Sequence, residues 1–526
     1  MRWLSRPGCL GLICLALSAA LVAFAVPAAA VPAPQTTTDP AVAAAGWLAQ
    51  EFVGPSHKPS PTGDHLESKF SGQFFFDGGT TTDAVFALAA AKAGKTKIDA
   101  VISYFAKHVD EYTSLHDTTG KPGPFDGSVA KVAVAAMVAG ANPHQFGGFD
   151  LLKALHDDQC TSVSVQTTDF TVPNCPAIGA GRNVFSSVAE SFVILAQARA
   201  GATLSGNAVD YFLSLQCPDG GFTVETDTAK GCTPDLDSTS YAAAALAALG
   251  GHSAELTRAL AWLASKRNAN GSWTAQGGPN VDSTGLAASA LAAAGHDVSK
   301  SRAWLVSQQV RTGVTIGVTA SRGALEYQGS FNPTASVKAT ADGLLGMASR
   351  TSLATLTDKG ASADAPVMAP TASLAHGSVA QGGQQTVTGI GFSAGESVRA
   401  TVHSAAVTVA TAAAASDGTA KVAFRVPAGL ATGAHDVELA GLSSGLTVSM
   451  PFTVTAAPTP TATATPTPTT SAPVSASGAT GGSTSSGSLP ATGTDRQTLV
   501  LQAIAGFALI SAGAVAIVAG RRRRRT

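Results

Sequence analysis

Two aspartates carry the clearest chemical pattern in the chain. Asp235 and Asp237 stand in Asp235-Leu236-Asp237-Ser238-Thr239-Ser240, at the head of an Ala-rich stretch. A carboxylic acid kept neutral by burial and a neighbouring charge can donate a proton. Asp237, with Asp235 beside it, is the candidate for that role. The pattern returns 45 residues later as Asn280-Val281-Asp282-Ser283-Thr284-Gly285. A motif that recurs at one repeat position reads first as a helix start, where Asp, Ser and Thr side chains accept exposed backbone N–H groups and face the positive end of the helix. Ligand or metal contact is the third reading. The eleven His residues are scattered, and no HExxH, Gly-x-Ser-x-Gly or phosphate-binding Gly-rich loop occurs. No metal and no cofactor is therefore expected.

Four further residues have chemistry of their own. Cys160, Cys175, Cys217 and Cys232 form two pairs, each 15 residues apart. Four cysteines permit three connectivities, and the twin spacing favours Cys160–Cys175 with Cys217–Cys232. Zinc is disfavoured, because no Cys-x2-Cys or His partner spacing is present. Disulfides belong to an oxidising exterior, and both ends of the chain agree with that. Residues 1–30 join two arginines, an apolar run and Ala28-Ala29-Ala30, the pattern of a secretory signal peptide. At the other end, Leu489-Pro490-Ala491-Thr492-Gly493 precedes an apolar stretch over 498–520 and then five arginines. About 20 apolar residues span a bilayer, and the arginines stay on the cytoplasmic side. LPATG, apolar span and basic tail together resemble the sortase cell-wall sorting signal of Gram-positive bacteria. The resemblance implies sortase cleavage between Thr492 and Gly493, with Thr492 joined to peptidoglycan.

The body between these ends is repetitive. The chain has 526 residues, 45% hydrophobic and only 13% charged, with 55 Gly and 27 Pro. Residues 31–492 hold 25 Lys and Arg against 33 Asp and Glu, a balance of −8. That balance, with no basic stripe, argues against nucleic-acid binding. Six Ala-rich segments resemble one another: 82–94, 128–140, 188–201, 238–250, 283–295 and 336–348. The first five end at Gly94, Gly140, Gly201, Gly250 and Gly295, at intervals of 46, 61, 49 and 45. Ser or Thr near the start suits a helix cap, and a closing Gly suits a left-handed end. Between them run bulkier amphipathic stretches at 98–112, 148–156, 208–216, 256–266 and 298–309, with 41–52 ahead of the first. Such a period marks a repeat architecture. The Ala-rich helices are apolar nearly all round and belong inside, with the bulkier helices covering them. Six such pairs can close into a ring with no exposed end repeat.

Motifs on this frame resemble a known family. Gln216-Cys217-Pro218-Asp219-Gly220-Gly221-Phe222 resembles the QW repeat of squalene cyclases, with Phe222 in the place of Trp. Trp262-Leu263 followed by Gly271-Ser272-Trp273 looks like a second copy, and Trp304-Leu305 with Gln308 like a third. The resemblance covers roughly residues 40–350. It implies the (α/α)6 toroid of the prenyltransferase and squalene-oxidase repeat class, which includes terpene cyclases, protein prenyltransferase β-subunits and transcobalamin-like binders. Asp235-Leu236-Asp237-Ser238-Thr239-Ser240 then resembles the acid motif of squalene-hopene-type cyclases, with Ser238 where a final Asp would stand. That implies Asp237 as the acid that protonates an alkene. Against turnover stand the 6% aromatic content, low for a cavity that steadies carbocations, and a single barrel where squalene-type cyclases use two.

The expected organisation is thus a signal peptide (1–30), an all-α toroid (31–365), an all-β immunoglobulin-like sandwich (366–456), a Pro/Thr/Ser-rich linker (457–488) and the sorting signal (489–526). Val, Thr and Phe alternate between turns every 8–12 residues over 366–455, which suits a sandwich. The linker cannot bury a core and, extended, reaches roughly 100 Å. The expected function is a monomeric, wall-attached surface protein whose toroid binds a hydrophobic small molecule in an apolar cavity without catalysis. The alternatives are a terpene cyclase-like enzyme with Asp237 as acid, an adhesive or structural protein, and a cobalamin-type binder.

Overall fold

A computed structural model describes residues 34–458 except 116–122, 165–172, 228–230, 312–314, 317–318, 349–351 and 405. The signal peptide, the LPATG motif, the span at 498–520 and nearly all of the linker lie outside the described residues. Among the described residues no helix is long and apolar enough to cross a membrane.

The helices come first in the chain. They are α1 (Pro40–Gln50), α2 (Gly78–Ala91), α3 (Lys95–Lys107), α4 (Val109–Thr113), α5 (Asp126–Val138), α6 (Leu151–Asp157), α7 (Ser187–Arg199), α8 (Gly206–Ser214), α9 (Leu236–Leu249), α10 (Ser253–Ser265), α11 (Val281–Ala293), α12 (Ser299–Ser307) and α13 (Pro333–Met347). The Ala-rich segments supply α2, α5, α7, α9, α11 and α13. Each packs on the next, and α13 packs back on α2, so the series is cyclic. The bulkier helices flank it: α3 lies on α2, α6 on α5, α8 on α7, α10 on α9, α12 on α11 and α13, and α1 on α13 and α2. Burial follows the same division. α2 buries Ala84 through Ala90 without a break, whereas α3 buries only Ile98, Val101 and Phe105, one stripe at helical spacing.

Local chemistry sets the helix starts. Asp77, Ser186, Asp235, Asn280 and Asn332 each accept a backbone N–H in the first turn of α2, α7, α9, α11 and α13. The ends differ from the expected closing glycines in one place. α2 ends at Lys92, itself left-handed at φ 55°, and Gly94 opens α3 instead. The expected long helix over 98–112 is broken, because His108 leaves helical geometry between α3 and α4.

One device recurs where the loops meet the ring helices. The hydroxyls of Thr81, Thr239, Thr284 and Thr340 accept the backbone N–H of Leu66, Phe222, Trp273 and Leu325 at 2.8–3.0 Å. Three of the four donating residues, Phe222, Trp273 and Leu325, have fully buried side chains that anchor the loop. The QW-like residues hold these loops down. Gln216 Nε2 donates to Gly220 O and Glu255 O, Trp262 Nε1 to Asp219 Oδ2, and Trp273 Nε1 to Leu263 O.

After α13 the chain crosses the face formed by the C-terminal ends of the ring helices. Leu353 and Leu356 are buried in the main core. The guanidinium of Arg199, at the end of α7, donates to both Leu353 O and Leu356 O. Further along, Asp358 N donates to Val138 O, Ser362 N to Lys92 O and Gly94 N to Asp364 O. This strap therefore ties down the ends of α2, α5 and α7. It then pairs in parallel, Thr36–Thr37 with Val367–Met368.

Two sheets follow. One has the order Thr371–Leu374, Gln384–Ile390, Thr419–Arg425, and the other Ser378–Ala380, Thr447–Thr455, Gly433–Gly441, Ser397–His403, Val407–Ala413. Side chains alternate strictly along Gln384–Ile390 and Thr419–Arg425, so each strand offers one apolar face. Val387, Phe424, Val398, Leu439 and Phe452 from both sheets share one core.

Candidate functional site

The caps at Asp235 and Asn280 leave the next acidic residues free for another task. Asp235 Oδ1 accepts Ser238 N at 2.8 Å and Asn280 Oδ1 accepts Ser283 N at 2.9 Å. Capping thus falls to Asp235 and its repeat partner Asn280. Asp237 and Asp282, two residues further on, face the interior of the ring.

There they meet side chains from across the cycle. Asp83 of α2 is buried and lies 2.7 Å from Lys131 Nζ of α5 and 3.2 Å from Lys338 Nζ of α13. Lys338 also pairs with Asp342, one turn along its own helix. Asp282 and Asp342 face each other closely enough to share a proton. The Ser283 hydroxyl donates to the Asp237 carboxyl, whose Oδ1 is buried with no hydrogen-bond partner among the described residues. Tyr241 of α9 feels the charges of both Asp342 and Asp83, so α9 and α2 look at each other across the ring.

The electrostatics divide the carboxyls. Burial works against the charge of Asp83, but Lys131 and Lys338 outweigh it and hold its carboxyl below the ordinary range. Burial pushes Asp237 up to about 7, helped by the negative charges of Asp235 and Asp342. Burial also raises Asp282, against the pull of Lys338. Asp342 rises well above the usual range, again through burial first, with Asp282 and Asp83 adding to it and Lys338 opposing. Lys338 resists the effect of burial because Asp342 and Asp83 surround it, and it stays protonated. The group therefore stores protons on its carboxyls at neutral pH.

Aromatic rings close the space beside this cluster. Phe86 of α2 stacks on Phe192 of α7 at 6.1 Å, and Phe192 meets Tyr241 at 5.0 Å. α2 and α7 are not neighbours in the cycle, so these rings fill its interior. Beyond Tyr241, toward the strap, a recess lined by Ser240, Ala244, Leu286, Ser289 and Leu353 has room for about one water molecule. The recess is lined mainly by apolar side chains, whereas the surroundings of Asp237 carry aspartates and lysines, with aromatic rings next to them. Sequence reasoning found Asp237 and the recurring Asp282. It missed Asp83, Lys131, Lys338 and Asp342, although each is a charge inside an Ala-rich helix, and that was the available signal.

A second acidic pair lies at the starts of α5 and α7. Asp126 Oδ2 accepts Arg182 N at 2.6 Å and Glu190 Oε2 accepts Gly181 N at 3.0 Å. Both side chains are buried. Burial lifts Glu190 to about 7 and Asp126 well above its usual range, against those hydrogen bonds. They pin the segment that follows the Cys160–Cys175 loop. That disulfide and Cys217–Cys232 are both formed, with Cα separations of 5.6 and 5.5 Å. Disulfides are the state favoured outside the cell. Among the described residues, no group of three or more His, Cys, Asp or Glu is placed to hold a metal ion.

No protein-family model matches the sequence, and no curated protein matches it. Among solved structures the chain is similar to a protein from Actinoplanes, at 17% identity over 58% of this chain and 97% of that one, with a TM-score of 0.38. It is also similar to the type II terpene cyclase MstE from Scytonema in its apo form, at 13% identity over 58% of this chain and 96% of that one, with a TM-score of 0.40. A variant of that cyclase holding its substrate, geranylgeranyl dihydroxybenzoate, matches at 13% identity, 58% and 95% coverage, and a TM-score of 0.40.

Proposed function

We propose that this chain is a wall-attached surface protein whose helical ring, an (α/α)6 toroid, binds a small molecule without turning it over. The observation that carries the binding reading is the convergence of Asp83, Lys131, Asp237, Asp282, Lys338 and Asp342 on the ring interior from five helices. Buried charges are costly unless they serve a ligand or one another, and Asp237 Oδ1 has no hydrogen-bond partner among the described residues. The immunoglobulin-like sheets and the linker serve as spacer. The order of LPATG, apolar span and basic tail supports sortase linkage to peptidoglycan through Thr492.

Native mass spectrometry of the protein purified from cells tests the binding reading. A retained small molecule supports it, and a bare protein in cell extract counts against it. Thr492→Ala should move the protein to the membrane fraction or the medium, and unchanged wall attachment would refute the anchor.

A second reading has its own observation. A carboxyl at about 7 with one free oxygen is suited to donating a proton, so Asp237 is the acid of a cyclase-like isomerase in this reading. Incubation with squalene or geranylgeranyl diphosphate tests it. Product that disappears in Asp237→Asn and persists in Asp282→Asn favours turnover. No product from the unaltered protein removes it.

A further inference from the structure

We infer that the ring takes up an aliphatic carboxylate at the face crossed by the strap, with the chain in the recess beside Tyr241, the head on Arg199, and strap residues 352–358 displaced as a plug. The inference rests on the binding reading above and adds an entrance and a ligand class.

The strap is fastened unevenly. Residues 362–364 are stitched to the ring through backbone. Ser362 N donates to Lys92 O, and Gly94 N, Lys95 N and Thr96 N donate to Asp364 O, Ser362 O and Ala363 O. Residues 352–358 have one such bond to the ring among the described residues, from Asp358 N to Val138 O at 3.0 Å. Side chains supply the rest. Leu353 and Leu356 enter the core, Arg199 takes both of their carbonyls, Lys92 Nζ donates to Thr357 O, and Lys95 pairs with Asp358 at 3.3 Å. Inside this arm a single turn forms, with Thr355 N and Leu356 N both donating to Ser352 O. An arm with so little backbone pairing opens at less cost than the helices beneath it.

The recess lies under the same arm. Leu353 makes one wall, and Ala244 of α9, Leu286 and Ala290 of α11 and Leu345 of α13 make others. When Leu353 withdraws, the space it fills joins the recess. An aliphatic chain entering there exchanges apolar side chain for apolar ligand, so little buried apolar area is lost. The length fits as well. Tyr241 lines the recess and packs on Phe192 at 5.0 Å. Arg199 lies seven residues beyond Phe192 on α7, on the same side of the helix and roughly 10 Å along its axis. An extended octyl chain covers a similar distance.

Arg199 supplies the head site. Nη1 donates to Leu353 O and Nη2 to Leu356 O, so each terminal nitrogen already holds its own oxygen. A carboxylate offers two oxygens to that fork. Among the described residues the guanidinium has no carboxylate partner, and burial pulls its pKa down with no negative charge opposing it. Two neutral carbonyls are thus replaced by one anion, and the new bonds are charge-assisted. An alcohol lacks that charge, and an ammonium repels the arginine.

Calorimetric titration of the full chain with octanoate, octanol and octylammonium tests this, together with hydrogen exchange read by mass spectrometry. Octanoate should bind about tenfold more tightly than the other two, the difference between a charge-assisted and a neutral head contact. Arg199→Gln should bring octanoate down to the level of octanol, and Arg199→Lys should restore part of the preference. Leu353→Ala removes a side chain that must leave, so octanoate should bind it more tightly than the parent. Saturating octanoate should speed exchange across 352–358 and leave 362–364 unchanged. Circular dichroism of each variant reports the fold independently. Equal binding of octanoate and octanol, a preference that survives Arg199→Gln, or slower exchange across 352–358 overturns the inference while the ring remains a binder. A small molecule retained in native mass spectra without any octanoate affinity does the same. If no molecule is retained and no probe binds, both the inference and the binding reading fall.

Discussion

Glu190 shows how far a single buried carboxyl can tilt this protein. Its side chain is fully buried, and burial raises it to about 7 from an ordinary 4.5, although Gly181 N donates to it. The sign follows from which state holds the proton. Below about 4.5 both folded and unfolded chains are protonated, and the group is neutral to stability. From there to about 7 the unfolded chain ionises while the folded one does not, so stability falls as pH rises. Above 7 the loss is complete. Glu190→Gln keeps an acceptor for Gly181 N and removes the titration. The variant should match the parent near pH 4.5 and exceed it by roughly 2–4 kcal/mol at pH 8. Urea denaturation across that range decides it, and a difference that stays flat with pH would mean that Glu190 is already ionised in the fold.

Helix packing explains why most of the architecture could be read and the site could not. Ala, Ser and Gly at the right spacing announced six inner helices, because small side chains are what close helix contact demands. The contact of α11 with α13 makes the point. A Cβ on Gly285 would lie 2.2 Å from Asp342 O and 2.5 Å from the Cα of Gly343. Gly285→Ala must push these helices apart, costing about 1–3 kcal/mol. Urea denaturation measures it, and unchanged stability would show that the helices are not in contact there. The Thr hydroxyls are a second such element. Thr284→Val strands the buried N–H of Trp273 and should cost about 1–3 kcal/mol, against under about 0.5 for an exposed control such as Thr257→Val. The Asp-Ser-Thr pattern pointed to helix starts, which is where Asp235 and Asn280 cap. It could not say that the next acidic residue turns inward. That depends on the phase of α9 relative to α13, some 100 residues away, and pairwise phase across a closed ring is not a local property. Lys338 and Asp342 were hidden for the same reason: on one helix they look like an ordinary i,i+4 surface pair.

At the level of the whole molecule, a half-buried arginine helps to join the ring and the sheets. Arg322 donates from Nε to Arg311 O at 2.7 Å, and from its two terminal nitrogens to Met368 O at 3.0 Å and Ala369 O at 2.6 Å. Its guanidinium lies against Gly391 of the sheets, where a Cβ would come within 2.1 Å. Burial, followed by the charge of Arg311, brings its pKa down to about 10, so it still carries its charge at physiological pH. Three carbonyls thus depend on one cation, and two of them belong to the segment that leads from the strap into the first strand at Thr371. The parallel pairing of Thr36–Thr37 with Val367–Met368 is a second fastening, two residues long, and α1 packs on the same segment, with Gly46 against Pro366 O. Arg322→Ala should therefore loosen the junction while leaving ring and sheets folded. Losing bonds of this kind is worth at least about 1.4 kcal/mol, which corresponds to a tenfold rise in the open population. Limited proteolysis should cut within 362–370 about ten times faster, with the circular dichroism spectrum unchanged and a larger radius of gyration in solution scattering. A cleavage rate equal to the parent's would mean that the strand pairing and the packing on α1 hold the junction without Arg322.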